Sequence, residues 1–183
     1  MSRTIVGIDP GVGRAGVVIM NRDGGVDAAA TFKSTETEFT HGCRVIDLSR
    51  EITTWVGEHT HGKGTVVLSI ESPIAKRGKH FNPHGFALQW RLVQALISGH
   101  WWDYVYEIHN KQVKVTAGSA SADKDYMVNA SPFSYDDYSK ADAEALADAW
   151  AIAKTAHLND PRLLKYAVFG RKDACHVGPC VEV

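Results

Sequence analysis

The stretch IVGIDPGVGRAGVVIM, Ile5–Met20, constrains the fold more than any other part of the chain. Two apolar runs flank a Pro- and Gly-containing turn that reverses the backbone within a few residues. Thr4–Ile8 and Gly16–Met20 therefore read as neighbouring strands. The turn signal Asp23-Gly24-Gly25 predicts a third strand over Val26–Phe32. Further strands are expected at Val66–Ile70 and Tyr104–Ile108. Helical spacing joins Val45, Leu48, Ile52, Trp55 and Val56, and again Phe86, Leu88, Trp90, Leu92, Val93, Leu96 and Ile97. A third, alanine-rich helix is expected over Ala141–His157, while Met127–Lys140 reads as a loop. A meander followed by alternating helices and strands predicts an α/β protein, a mixed sheet with helices on its faces.

Length and charge exclude several classes. The 183 residues suit one domain with a full core. No run approaches the ~20 apolar residues of a membrane span, and MSRTIVGID carries no signal-peptide h-region. The expectation is a cytoplasmic protein with no membrane partner. Cys43, Cys175 and Cys180 are too few and scattered for a disulfide framework. A net charge of -1 means that any affinity for nucleic acid must come from local patches.

Three acids stand out by context. Asp9 ends the first strand, Glu71 directly follows the apolar run VVLSI, and Asp148 interrupts the apolar helix ALADAWAIA. Glu144 lies four residues before Asp148, on the same helix face. Taken singly, each has an ordinary reading: a turn-starting Asp, a solvated strand end, a solvated helix face. Together they repel one another unless a cation joins them, and Mg²⁺ takes oxygen ligands while keeping several waters. Two such ions about 3.5–4 Å apart suit phosphodiester hydrolysis.

At this point the motifs IVGIDPGVGRAGVVI, LSIESP, VYEIHNKQVKVTAGSASADKDYMV and DAWAIA resemble, in order, those of the RuvC family of Holliday junction resolvases within the RNase H-like superfamily. The resemblance runs from about Ile5 to His157. It implies an RNase H-like nuclease domain over residues 1–158, with a mixed five-stranded sheet and helices on both faces, and leaves 159–183 as a tail of unknown role. It implies that Asp9, Glu71 and Asp148 are metal-binding catalytic carboxylates for two Mg²⁺ ions, with Mn²⁺ able to substitute. It points to Lys124 as a basic residue beside the reacting phosphate. It also implies a homodimer packed through the helix around 85–98, making paired symmetric nicks in a four-way DNA junction.

Two departures from the family pattern matter. The family's fourth acid stands three residues before the last, where this chain has Ala145; Glu144 is expected to replace it as a catalytic metal ligand. The aromatic expected after the second acid is Ile74 here, with Phe81 later in the loop and able to stack on an unpaired base. Lys76, Arg77, Lys79 and His80 cluster in that loop, Lys111 and Lys114 follow the last strand, and Arg14 lies in the first turn. Basic residues near a catalytic acid suit the salt-dependent binding of phosphates, so all these are expected on the DNA face. Another RNase H-like nuclease, acting on RNA–DNA hybrids or flaps, would carry the same acids. The ATP-binding proteins with an actin-like core share the opening motif, but they need two lobes and a second phosphate loop that this chain lacks.

Overall fold

A computed structural model describes residues 3–34, 41–73, 82–99 and 101–159. The opening motif forms strands β1 (Arg3–Asp9) and β2 (Arg14–Met20), followed by β3 (Val26–Lys33). Helix α1 (His41–Thr60), β4 (Thr65–Glu71), α2 (Pro83–Gly99) and β5 (Tyr104–Ile108) come next. Three helices close the described chain: α3 (Asn110–Ala117), α4 (Lys124–Ala130) and α5 (Lys140–Leu158). The sheet order is β3-β2-β1-β4-β5. The meander β1–β2–β3 is antiparallel, whereas β4 and β5 add to it in parallel with β1. This is the mixed five-stranded sheet expected from the sequence.

Side chains alternate across β1 and so split the core in two. Val6 and Ile8 join Leu68, Ile70, Leu92 and Leu96 on the face covered by α1 and α2. Ile5, with Val67 and Ile108, faces α3, α4 and α5. The helices thus lie on both faces of the sheet, as expected.

The packing of α5 is unusually close, and small residues are the cause. A Cβ on Gly7 would fall 2.3 Å from the Ala149 carbonyl and 2.7 Å from the Ala153 Cβ. A Cβ on Gly16 would fall 2.1 Å from the Ala145 carbonyl. Ala145, Ala149 and Ala153 recur every four residues and form one stripe of the helix. That stripe rests on a notch that only glycine leaves open in β1 and β2. The Ser69 hydroxyl of β4 donates to the Ile152 carbonyl at 3.0 Å and ties the helix to the third strand of the centre. The Ser139 side chain caps α5 by accepting from the Asp142 amide, and Asp142 adds negative charge to the first turn.

One local expectation changes. The segment read as a loop over Met127–Lys140 begins inside a helix, α4, capped by Asp123, whose side chain accepts from the Tyr126 amide. Its buried Met127 and Val128 pack on the α5 side of the core, and that packing makes a seven-residue helix worthwhile. Before β5, Trp102 is buried and donates to the Leu96 carbonyl, whereas Trp101 is 76% exposed. Among the described residues no helix is long and apolar enough to cross a membrane.

Candidate active site

Two parallel strands deliver the first two acids to one place. Ile8 of β1 pairs with Ile70 of β4, so Asp9 and Glu71, the next residues, leave the sheet at the same level. Both follow a residue that points to the α1/α2 face and so point to the α5 face. The Asp9 turn is closed by the Gly11 amide, which donates to the Asp9 carbonyl at 3.0 Å. Helix α5, seated on its glycine notch, presents Asp148 above them. Helix α4 supplies Lys124, whose ammonium donates to Asp148 Oδ2.

These four side chains line one cleft of about 700 Å³. Its further walls are His109, Asn110, Lys111 and Lys114 around the start of α3, with Asp123 and Met127 of α4. Pro73 and Gln89 extend it towards α2. Helix α3 begins beside Glu71 because Glu71 is in register with Ile108 at the end of β5. Its start is pinned: the His109 side chain accepts from the Lys111 amide, and the Gln112 side chain accepts from the His109 amide.

The electrostatics are those of crowded acids with too little compensation. Asp9 is so enclosed at the floor of the cleft that burial, with Asp148 and Glu71 adding repulsion, pushes its pKa up to about 8 against the relief from Lys124. Burial likewise raises Glu71, while the Asn110 amide, donating to Glu71 Oε1 at 2.9 Å, works the other way. Burial opposes the charge of Lys124. Asp148, and then Asp9 and Glu144, more than offset this and raise its pKa. One ammonium thus faces three buried or half-buried carboxyls.

The remaining expected residues fall into three groups. Lys111 and Lys114 line the cleft. Glu144 lies one turn before Asp148, close enough to act on the Lys124 charge, but it is not among the cleft-lining residues. Arg14 is engaged within the fold, its guanidinium 2.7 Å from Asp142 of α5. Thr31 and Lys33 of β3 also donate to Asp142, which is therefore held by four groups counting Ser139. Ile74, Lys76, Arg77, Lys79, His80 and Phe81 lie outside the described residues, as do Cys175 and Cys180. Asn110, Asp123, Met127 and Gln89 were not singled out in the sequence. The signal for Asn110 was the parallel-strand arrangement: residues just past the carboxyl end of a strand beside β4 must emerge next to Glu71.

Among the described residues no three His, Cys, Asp or Glu side chains stand grouped so as to hold a metal ion. The donor set still suits a hard divalent cation. It is all carboxylate oxygen, it opens on a cleft wide enough for waters and a phosphate, and Lys124 offsets its charge only in part. A structural zinc or soft-metal site would need the nitrogen or sulfur ligands that are missing from this group.

No family model matches the sequence, and no curated protein matches it. Solved structures do. Thermus thermophilus RuvC is 20% identical, with 84% of this chain and 93% of that chain aligned at a TM-score of 0.55. The same T. thermophilus protein in complex with a Holliday junction substrate is 19% identical, with 85% and 93% aligned at a TM-score of 0.53. At that identity the likeness is one of fold: this chain has the RNase H-like fold of RuvC.

Proposed function

We propose that the chain is a metal-dependent endonuclease that resolves four-way DNA junctions by paired, symmetric nicks. The observation that carries this reading is the convergence of Asp9, Glu71, Asp148 and Lys124 from four separate elements into one cleft. The fold adds support, because a protein of the same fold has been solved bound to a Holliday junction.

Asp9, Glu71 and Asp148 would hold Mg²⁺ or Mn²⁺, with Glu144 completing the set from the preceding turn of α5. Two such ions supply an activated water and stabilisation of the leaving oxygen in phosphodiester hydrolysis. The protein's own contribution is positional and electrostatic. The sheet and the glycine notch hold the acids in place before substrate arrives, so little reorganisation is needed during reaction. Lys124, half-exposed and aimed into the cleft, places a positive charge where a phosphate oxygen would gain negative charge. Lys111 and Lys114 extend that charge along α3 for the flanking phosphates, and the basic loop over 76–80 would add to it. The junction reading also calls for two copies. Phe86 and Trp90 of α2 stack edge to face and stay partly exposed, which supports a dimer packed through that helix.

The test is cleavage of a labelled four-way junction with Mg²⁺, beside linear duplex, flap DNA and an RNA–DNA hybrid, with Asp9→Asn as control. Paired nicks in opposing arms, absent from the control, are expected. Cutting of only the flap or the hybrid would keep the carboxylate centre and discard the junction. Equal cutting by the Asp9→Asn protein would remove the centre itself.

A further inference from the structure

Asn110 has no part in the site as read from the sequence, yet it makes the one hydrogen bond given to Glu71 among the described residues. Its Nδ2 donates to Oε1 at 2.9 Å. We infer that Asn110 is a positioning residue: it pins one oxygen of Glu71 and so directs the other towards the cation that the acids would share. The inference rests on the metal-dependent reading above.

Three features favour positioning over incidental contact. First, Asn110 is itself held. It opens α3, whose start is fixed by the two reciprocal bonds between His109 and the first turn. The end of β4 is tied to the same place, since the Ser72 amide donates to the Ile108 carbonyl at 3.1 Å and the Ser72 hydroxyl donates to Glu107 at 2.8 Å. Donor and acceptor therefore hang from backbone that is joined on both sides. Second, the chemistry suits the task. A half-buried carboxylate needs a donor to order it, and an amide supplies one without neutralising the charge that a cation would use. A lysine there would compete with the cation, as Lys124 does at Asp148. Third, the amide is a short side chain with few rotamers, so ordering it costs less entropy than ordering a long cation.

The test compares Asn110→Ala and Asn110→Leu, which removes the donor while keeping the branched shape, with wild type and Glu71→Gln. Mn²⁺ binding to the DNA-free protein is measured by calorimetry, along with melting without metal and the Mg²⁺ dependence of cleavage. Removal of an outer-shell partner typically weakens metal binding about 10–100-fold. Both Asn110 variants should bind Mn²⁺ about tenfold more weakly, need correspondingly more Mg²⁺ for half-maximal cleavage, and recover most of the turnover at saturating Mg²⁺. Their metal-free melting should stay near that of wild type. Unchanged Mn²⁺ affinity in both variants, with binding lost in Glu71→Gln, would overturn the role of Asn110 and leave the metal site standing. Equal Mn²⁺ binding by wild type and Glu71→Gln would overturn the metal reading, and the role of Asn110 with it.

Discussion

The two faces of the sheet are built by opposite means. Under α1 and α2 the strands present Val6, Ile8, Leu68 and Ile70, which meet Leu48, Ile52, Leu92 and Leu96 with essentially no exposure. Each such side chain, fully buried, contributes roughly 1.5–3 kcal/mol. Under α5 the contact at the centre is Gly7 and Gly16 against an alanine stripe, so the helix backbone rides almost on the strands. Around that seat Ile5, Val67, Ile108, Leu146 and Ile152 still form a buried core. What is gained is precision: a helix that cannot slide holds Asp148 over Asp9, whose own ionisation the fold opposes. Both faces bury a core, and the α5 face in addition carries a crowded, pre-set charge cluster.

The sharpest way to break that contrast is Asp9→Asn. Cleavage should fall by about 10³-fold or more, since ligand to the reacting centre is lost, while the metal-free protein should melt higher. The sign follows from the raised carboxyl. Its ionised form is disfavoured in the folded state, so the cost grows as pH rises from the ordinary 3.8 towards about 8 and then levels off. Metal-free wild type should therefore lose stability between pH 5 and pH 8 on the order of a few kcal/mol at most. Asp9→Asn should lose less, and added Mg²⁺ should restore the wild type. A melting curve series across pH, with and without metal, checks all three; a flat metal-free profile would contradict the account.

Next in size is a pair of substitutions of comparable stability cost on opposite faces. Gly7→Ala forces α5 outward, because its Cβ has no room against Ala149 and Ala153; overpacking of this kind costs about 1–3 kcal/mol. Leu92→Ala leaves a cavity on the other face and costs roughly 2–5 kcal/mol. At temperatures where both are folded, Gly7→Ala should lose at least tenfold in cleavage rate and Leu92→Ala almost none. Similar losses in both would mean that the glycine notch does not position the site.

Smaller effects separate neighbours on α5. Glu144→Gln should lower turnover about tenfold with stability unchanged, and Asp142→Asn should do the reverse, costing about 1 kcal/mol. Asp142 is held below its ordinary 3.8 by the Ser139 hydroxyl first; burial works against this, and Thr31, Lys33 and Arg14 add to the lowering. Its contribution is thus present above pH 3.8 and is lost as pH falls through the depressed value. The stability gap between wild type and Asp142→Asn should be constant near neutrality and close in acid, as denaturant titrations at several pH values would show. Equal activity loss in the two variants would take Glu144 out of the site.

The comparison also shows which parts of the molecule were legible in advance. Strands β1, β2, β4 and β5 were readable because buried strands need continuous apolar runs, and the half-exposed β3 was readable from the Asp23-Gly24-Gly25 turn before it. Helices α1, α2 and α5 were readable from periodicity. Helices α3 and α4 did not stand out by periodicity, since eight and seven residues span too few turns to show a period. Asp9, Glu71 and Asp148 stood out because an acid bordering apolar residues is locally anomalous. Asn110 did not, because its importance lies wholly in a partner 39 positions away.

The sequence by itself determined the order of strands and helices, the reversal after Asp9, and the acids that have no apolar reason to be where they are. These are local matters, set by backbone sterics and by the cost of burying a charge. Only the tertiary structure decided that Gly7 and Gly16 are a seat for α5, that Arg14 is engaged with Asp142, and that Asn110 meets Glu71. Parallel pairing of β1, β4 and β5 brings distant strand ends to one level, and the register of that pairing is a property of the whole sheet rather than of any stretch within it.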